Sequence, residues 1–196
     1  MNSIISDSAI QNLFTEARTQ NAWLPKPVDP AVLRRLYELV RMGPTSMNCQ
    51  PMRLVFLTSA SHKQRLVPAL SPGNVEKTQR APVTVIVAYD TRFYDNFQTI
   101  WHRPEARDNF TGNEPLARTT AFRNGSIQGG YLLLAARALG LDCGPMSGFD
   151  IAKVDAEFFP EGRWAADFLC NLGYGDYSKV LGRQRRLDFD EACMVL

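Results

Sequence analysis

The chain has 196 residues, 45% of them hydrophobic and 21% charged, with a formal net charge of +2. That length and apolar content suffice for one domain with its own core, and the near-neutral charge, with no basic block, argues against a nucleic-acid partner. No apolar run approaches the roughly 20 residues of a membrane span, and the first seven residues lack the features of a signal peptide; the expectation is a cytoplasmic protein with no membrane partner, forming a single domain over 1–196.

The first predicted helix follows Ser6 or Asp7 as its cap, with Ile10, Leu13, Phe14 and Ala17 at helical spacing. A second is marked by Asp29 as cap, Pro30 in the first turn and an apolar face of Val32, Leu33, Leu36, Leu39 and Val40, and it ends at Gly43-Pro44. A loop over 44–51 leads to a short strand over 53–57, and residues 61–69 read as a helix. The run 82–88, β-branched and nearly continuous, predicts a strand buried on both faces. Residues 91–112 form an aromatic, irregular excursion. After Pro115 a long helix runs to about Leu139 and stops at Gly140. Its Gly125, Gly129 and Gly130 would cost about 1 kcal/mol each in an exposed helix, so they predict close approach of another backbone. With Leu132, Leu133 and Leu134 they predict a surface that needs a partner. A capped helix follows Asp150, a strand ending in a turn covers 167–175, and the tail over 188–196 is a short helix or an extended arm. Helices outnumber strands without regular alternation, which is an α+β pattern.

Candidate chemistry begins with absences. The sequence holds no GxGxxG after a strand, no phosphate-binding GxxxxGK[ST] and no GxSxG elbow. Cys49, Cys143, Cys170 and Cys193 are scattered, and the only histidines are His62 and His102, so no metal site is expected. Cys143 and Cys170 read as small buried residues. What remains is a dispersed set of polar residues in apolar surroundings: Arg18-Thr19-Gln20-Asn21, Thr45-Ser46-Met47-Asn48, Asn74, Pro145-Met146-Ser147-Gly148, and Arg183, Arg185 and Arg186.

The segments 17–23, 43–49, 120–124, 138–150 and 171–176, in this order and over nearly the whole chain, resemble the nitroreductase family of flavoproteins. Within it the likeness is greatest to the malonic semialdehyde reductase subgroup. The resemblance implies a nitroreductase-like α+β fold, with a central, mostly antiparallel sheet flanked by helices, in an intertwined homodimer whose two FMN sites are each built from both subunits. It implies an FMN-dependent oxidoreductase that takes electrons from NADH or NADPH and reduces a small electrophile by ping-pong hydride transfer. The acceptor would be malonic semialdehyde, giving 3-hydroxypropionate; the alternatives are a broad nitro- or quinone-reductase, or a flavin-binding protein without turnover.

By the same resemblance, Arg18 with Arg183 and Arg186 would hold the FMN phosphate, a task suited to the bidentate guanidinium. Thr19 and Asn21 would meet phosphate, ribityl or ring edge. Thr45, Ser46 and Asn48 would cross to the other subunit's flavin, Asn74 would bond the ring, and Pro145, Met146, Ser147 and Gly148 would line it near N5. Many family members carry a basic residue at Asn21 and an acidic one at Ser147, so the charge around the flavin differs here. No side chain is assigned as catalytic. The 91–112 excursion would form the substrate side or lid, with Phe97, Trp101, His102 and Phe110, the packing alternative for its aromatics standing beside this; Arg123 or Arg103 would face a substrate carboxylate. Residues 183–196 would form a C-terminal arm.

Overall fold

The computed structural model describes residues 3–196. Its centre is strand β2 (Val83–Asp90), in which all eight residues are buried. Valine and isoleucine side chains projecting to both sides require cover on both faces, and helices supply it. β2 pairs antiparallel with β1 (Met52–Leu57) on one side and with β4 (Trp164–Gly173) on the other, and β4 carries β3 (Asp142–Met146). The order β1-β2-β4-β3 leaves β1 and β3 at opposite edges, and every pairing is antiparallel.

One face is covered by helices α2 (Pro30–Val40) and α6 (Glu114–Ala138). Asp29 caps α2, accepting from the Ala31 N–H at 2.7 Å, and Leu33, Leu36 and Val40 join Val83, Val85, Val87, Leu132 and Leu172 in one core. The other face is covered by α3 (Ala60–Leu66) and α7 (Ile151–Phe158), around Leu66, Ile86, Val154 and Leu169. A third core gathers Phe93, Phe97 and Phe110 of the excursion against Tyr89, Ala117 and Ala121.

Four expectations change. Leu13 and Phe14 do not extend a buried helix: α1 spans only Asp7–Ile10, the chain continues as a wider π turn over Gln11–Thr15, and Phe14 is 54% exposed. A polar helix, α4 (Pro72–Arg80), was not expected, because Ser71-Pro72-Gly73-Asn74 reads as a turn and only Thr78 is buried. Strand β3 was likewise not expected; it holds Pro145, which an edge strand tolerates because one side of its backbone needs no partner.

The fourth concerns the glycines of α6. Gly125 and Gly129 face the protein's own sheet, not a second molecule: a Cβ on Gly129 would lie 2.5 Å from the Phe168 ring, and one on Gly125 would lie 3.2 Å from Tyr89. Leu132 is fully buried on the same side. Gly130 faces open space. Gly129→Ala is therefore expected to lower unfolding stability by about 1–3 kcal/mol through overpacking. Gly130→Ala should raise it by roughly 0.5–1 kcal/mol through helix propensity. Urea denaturation of the two variants checks both signs.

Candidate functional site

The residues predicted to share a site fall into two groups. The first lies along β3. After the π turn the chain runs extended beside this strand: Thr19 bridges Cys143 in parallel, and the Gln20 N–H donates to the Cys143 carbonyl at 2.9 Å. This sets Arg18, Thr19 and Asn21 next to the strand that ends in Pro145 and Met146. α4 packs alongside. Its Asn74 donates Nδ2 to the Gly148 carbonyl at 2.7 Å, and the Ser71 N–H donates to the same oxygen at 3.0 Å. Gly148 must lack a side chain here, since a Cβ would lie 2.6 Å from Asn74 Nδ2.

One turn along α4, Lys77 reaches the Asn21 side chain, with Nζ 3.3 Å from Oδ1. Partial burial holds its pKa below the usual lysine value. The sequence reading missed Lys77. Its signal was the i, i+3 spacing from Asn74, which has meaning only once 72–80 is known to be helical. The far end of α4 is fixed by the buried Lys63, whose ammonium donates to the carbonyls of Gln79 and Ala81, where the helix dipole is negative. Asn21, Trp23, Lys77, Asp176 and Lys179 line a cavity of about 470 Å³, and the buried indole nitrogen of Trp23 has no protein partner among the described residues.

The C-terminal arm returns to this edge. Arg18 donates to the Leu181 carbonyl, and Arg183 donates to the carbonyls of Thr15 at 2.6 Å and Ala17 at 3.2 Å. The two guanidinium groups are thus held by main-chain oxygens, and neither has a carboxylate partner among the described residues. Arg186 does not join them; it donates to the carbonyls of Gln184 and Arg185. Arg185 is occupied by Asp188 and Glu191.

The second group is the loop before β1. Thr45 is half-buried, Ser46 and Asn48 are exposed, and Met47, Asn48 and Gln50 have φ of 54°, 49° and 38°. Left-handed conformations in non-glycine residues cost on the order of 1–3 kcal/mol each and persist only where surrounding contacts impose them. Here the Gln50 N–H donates to Thr45 Oγ1 at 3.2 Å, and Asn48 donates Nδ2 to the Ile100 carbonyl at 2.7 Å. One chain does not bring this loop to the first group. β1 and β3 are three strand spacings apart, about 14 Å.

Of the substrate-side candidates, Phe97 and Phe110 are buried in the third core and form no wall facing solvent. Trp101 is half-buried and its ring lies 4.2 Å from that of the exposed His102. Arg123 is exposed, has no ion-pair partner among the described residues, and lines a cavity of about 550 Å³ on the outer face of α6 with Thr119, Phe122, Ser126 and Ile127. Arg103 pairs with Glu105 at 3.4 Å.

A further cavity, of about 560 Å³, contains none of the predicted residues. It lies over a buried ion cluster in which Asp90 meets Arg53 at 2.8 Å and Arg163 at 3.2 Å. The Asp90 charge is fully compensated by these partners and by the Arg92 N–H, a structural arrangement. Among the described residues no helix is long and apolar enough to cross a membrane.

Burial pushes the Cys49 thiol up to about 11. At pH 8 it stays protonated and shielded, so iodoacetamide should leave Cys49 unmodified in the folded protein and alkylate it after denaturation; peptide mass spectrometry reads the difference.

The model of the nitroreductase family matches residues 14–174. A Ralstonia nicotianae protein named "putative NADH dehydrogenase/NAD(P)H nitroreductase" is 54% identical over 192 residues, covering 98% of each chain. A Polynucleobacter asymbioticus protein of the same name is 50% identical over 196 residues, the full length of both. Among solved structures, a "putative nitroreductase in complex with FMN" from Exiguobacterium sibiricum superposes with a TM-score of 0.85 over the whole of both chains at 16% identity.

Proposed function

The chain belongs to the nitroreductase family, and on that premise we propose that it is an FMN-dependent NAD(P)H oxidoreductase that reduces small electrophiles. The observation that supports this reading is that the segment beside β3 carries Arg18 and Asn21, with Arg183 bonded to its start, Lys77 to Asn21, and Asn74 to Gly148 just beyond the strand. This donor set fits FMN: two cations without carboxylate partners suit a phosphate dianion, and an ammonium and amides suit hydroxyls and a pyrimidine edge.

FMN supplies the two-electron chemistry between a nicotinamide donor and the acceptor. The protein's part is to bind and orient. Arg18 and Arg183 hold the phosphate. Asn21 accepts from Lys77 through Oδ1, which leaves its Nδ2 free to donate. Asn74 spends Nδ2 on Gly148, which leaves Oδ1 to accept from a ring N–H. Lys77, beside them, supplies the positive charge that Asn21 lacks and favours added negative charge on the pyrimidine side. Pro145 to Gly148 would line the ring.

The site is completed by a second copy, in an intertwined homodimer. Thr45, Ser46 and Asn48 lie too far from the β3 edge of their own chain to serve it. Two further features support the dimer. The arm beyond Val180 is exposed throughout, with Leu181, Leu187, Phe189, Met194, Val195 and Leu196 all more than 60% exposed, and β1 has an unpaired outer edge. Apolar side chains and open strand edges of this kind call for cover.

The relatives' names favour a broad NAD(P)H nitroreductase over a dedicated semialdehyde reductase. One observation favours the latter as a second reading: Arg123, without an ion-pair partner among the described residues, lines a partly apolar cavity, suited to the carboxylate of malonic semialdehyde.

Purified protein should be yellow and bleach on anaerobic addition of NADH or NADPH; a colourless protein that cannot be loaded with FMN would overturn the proposal. Arg183→Ala should weaken FMN binding by about 10–100-fold, the loss of a charge-assisted contact, and Arg186→Ala by less than about threefold. Sedimentation equilibrium should give a dimer. Measured kcat/KM should be highest for a nitroaromatic or quinone; a clear preference for malonic semialdehyde that Arg123→Ala abolishes would support the second reading.

A further inference from the structure

Two buried amides reach out of α6. Asn124, 4% exposed, accepts from the Ser46 N–H through Oδ1 at 2.8 Å and donates Nδ2 to the Thr120 carbonyl, one turn back, at 2.8 Å. Gln128, 3% exposed, accepts from the Met52 N–H through Oε1 at 3.0 Å. Residues four apart share a helix face, so the two acceptors stand about 6 Å apart along the helix axis. Between the points they hold runs the segment with three left-handed residues, Met47, Asn48 and Gln50.

Buried amides are poor choices for packing a helix against a sheet, where an apolar side chain of equal size avoids desolvation. What they supply is fixation of a backbone that its own conformational preferences do not hold. The loop's internal bonds, Asn48 N–H to Thr45 O at 3.1 Å and Cys49 N–H to Ser46 O at 3.0 Å, close its turn. They do not tie that turn to the rest of the molecule; Asn124 and Gln128 tie both of its ends to the most extensive helix in the fold. Asn124 lies in a segment already marked by family resemblance, yet it had no role.

We propose that Asn124 and Gln128 are positioning residues. They form a two-point clamp that holds the strained loop from Ser46 to Met52 in the shape that presents Ser46 and Asn48 to the flavin of the second copy. This rests on the reading that Ser46 and Asn48 contact FMN.

The experiment compares Asn124→Leu, which removes both hydrogen bonds at similar size, with Asn124→Asp, which keeps an acceptor for Ser46. Gln128→Met and Gln128→Glu form the parallel pair. FMN affinity is read by flavin fluorescence, and loop order by amide hydrogen exchange of the FMN-free protein. The expected result is FMN binding about tenfold weaker in Asn124→Leu, with faster exchange confined to residues 45–52, and a smaller loss in Asn124→Asp, which keeps the Ser46 acceptor but loses the donor to Thr120.

Unchanged FMN affinity in Asn124→Leu, while Ser46→Ala and Asn48→Ala do weaken binding, would overturn the clamp. If Ser46→Ala and Asn48→Ala leave FMN binding intact, the reading of the loop falls first and this role falls with it. Should the leucine variant fail to fold, exchange in the unaltered protein decides: Ser46 and Met52 amides must be protected, and exchange of the Ser46 amide at an open-loop rate refutes the clamp.

Discussion

The strand order β1-β2-β4-β3 sets which segments of this chain become neighbours and which stay apart. Strand β2, buried on both faces, lies inside the sheet, with β1 and β3 at its two edges. The candidate flavin residues are attached to those two edges. The polar row of Arg18, Asn21, Lys77 and Asn74 belongs to β3, and the loop holding Ser46 and Asn48 leads into β1. In this open sheet the two edges stand on opposite sides of β2 and β4, so the two groups of candidate residues lie apart within one chain. In the proposed dimer each edge meets the opposite edge of the other copy.

The two halves are prepared differently. At β3 the cations are held by backbone carbonyls, not carboxylates, so their charge is oriented without being neutralised. A carboxylate partner would have to be displaced by an incoming phosphate, whereas a carbonyl competes weakly. The contrast within the same molecule is Arg53 and Arg163, which close on the buried Asp90 and stabilise the fold. At the β1 edge order comes from backbone geometry. A loop with three left-handed non-glycine residues is held between α6 and the excursion, and the cost of that shape is offset by contacts outside the loop.

Much of this was legible in the chain. The Asp29-Pro30 start of α2, the β-branched run of β2 and the Asp150 cap of α7 are local signals with local causes, and each appears as expected. The cases that failed are those whose cause is not local. Gly129 reads as a contact for any neighbour, and only the fold supplies the Phe168 ring. Phe97 and Phe110 look like a wall because an aromatic residue carries the same signal in a core and in a binding face; their burial depends on how residues 91–112 fold back on Tyr89.

The same division runs through the site. Signals along the chain are enough for the α+β class, most of the helices and strands, and the candidate residues for phosphate and flavin, since these follow from periodicity, capping chemistry and resemblance. Folding adds that Arg183 and not Arg186 reaches the backbone just before Arg18, that Lys77 bonds Asn21, and that Asn124 and Gln128 bond the loop before β1. Each is a contact between segments more than 50 residues apart, and such contacts exist only after the sheet order has set which segments become neighbours.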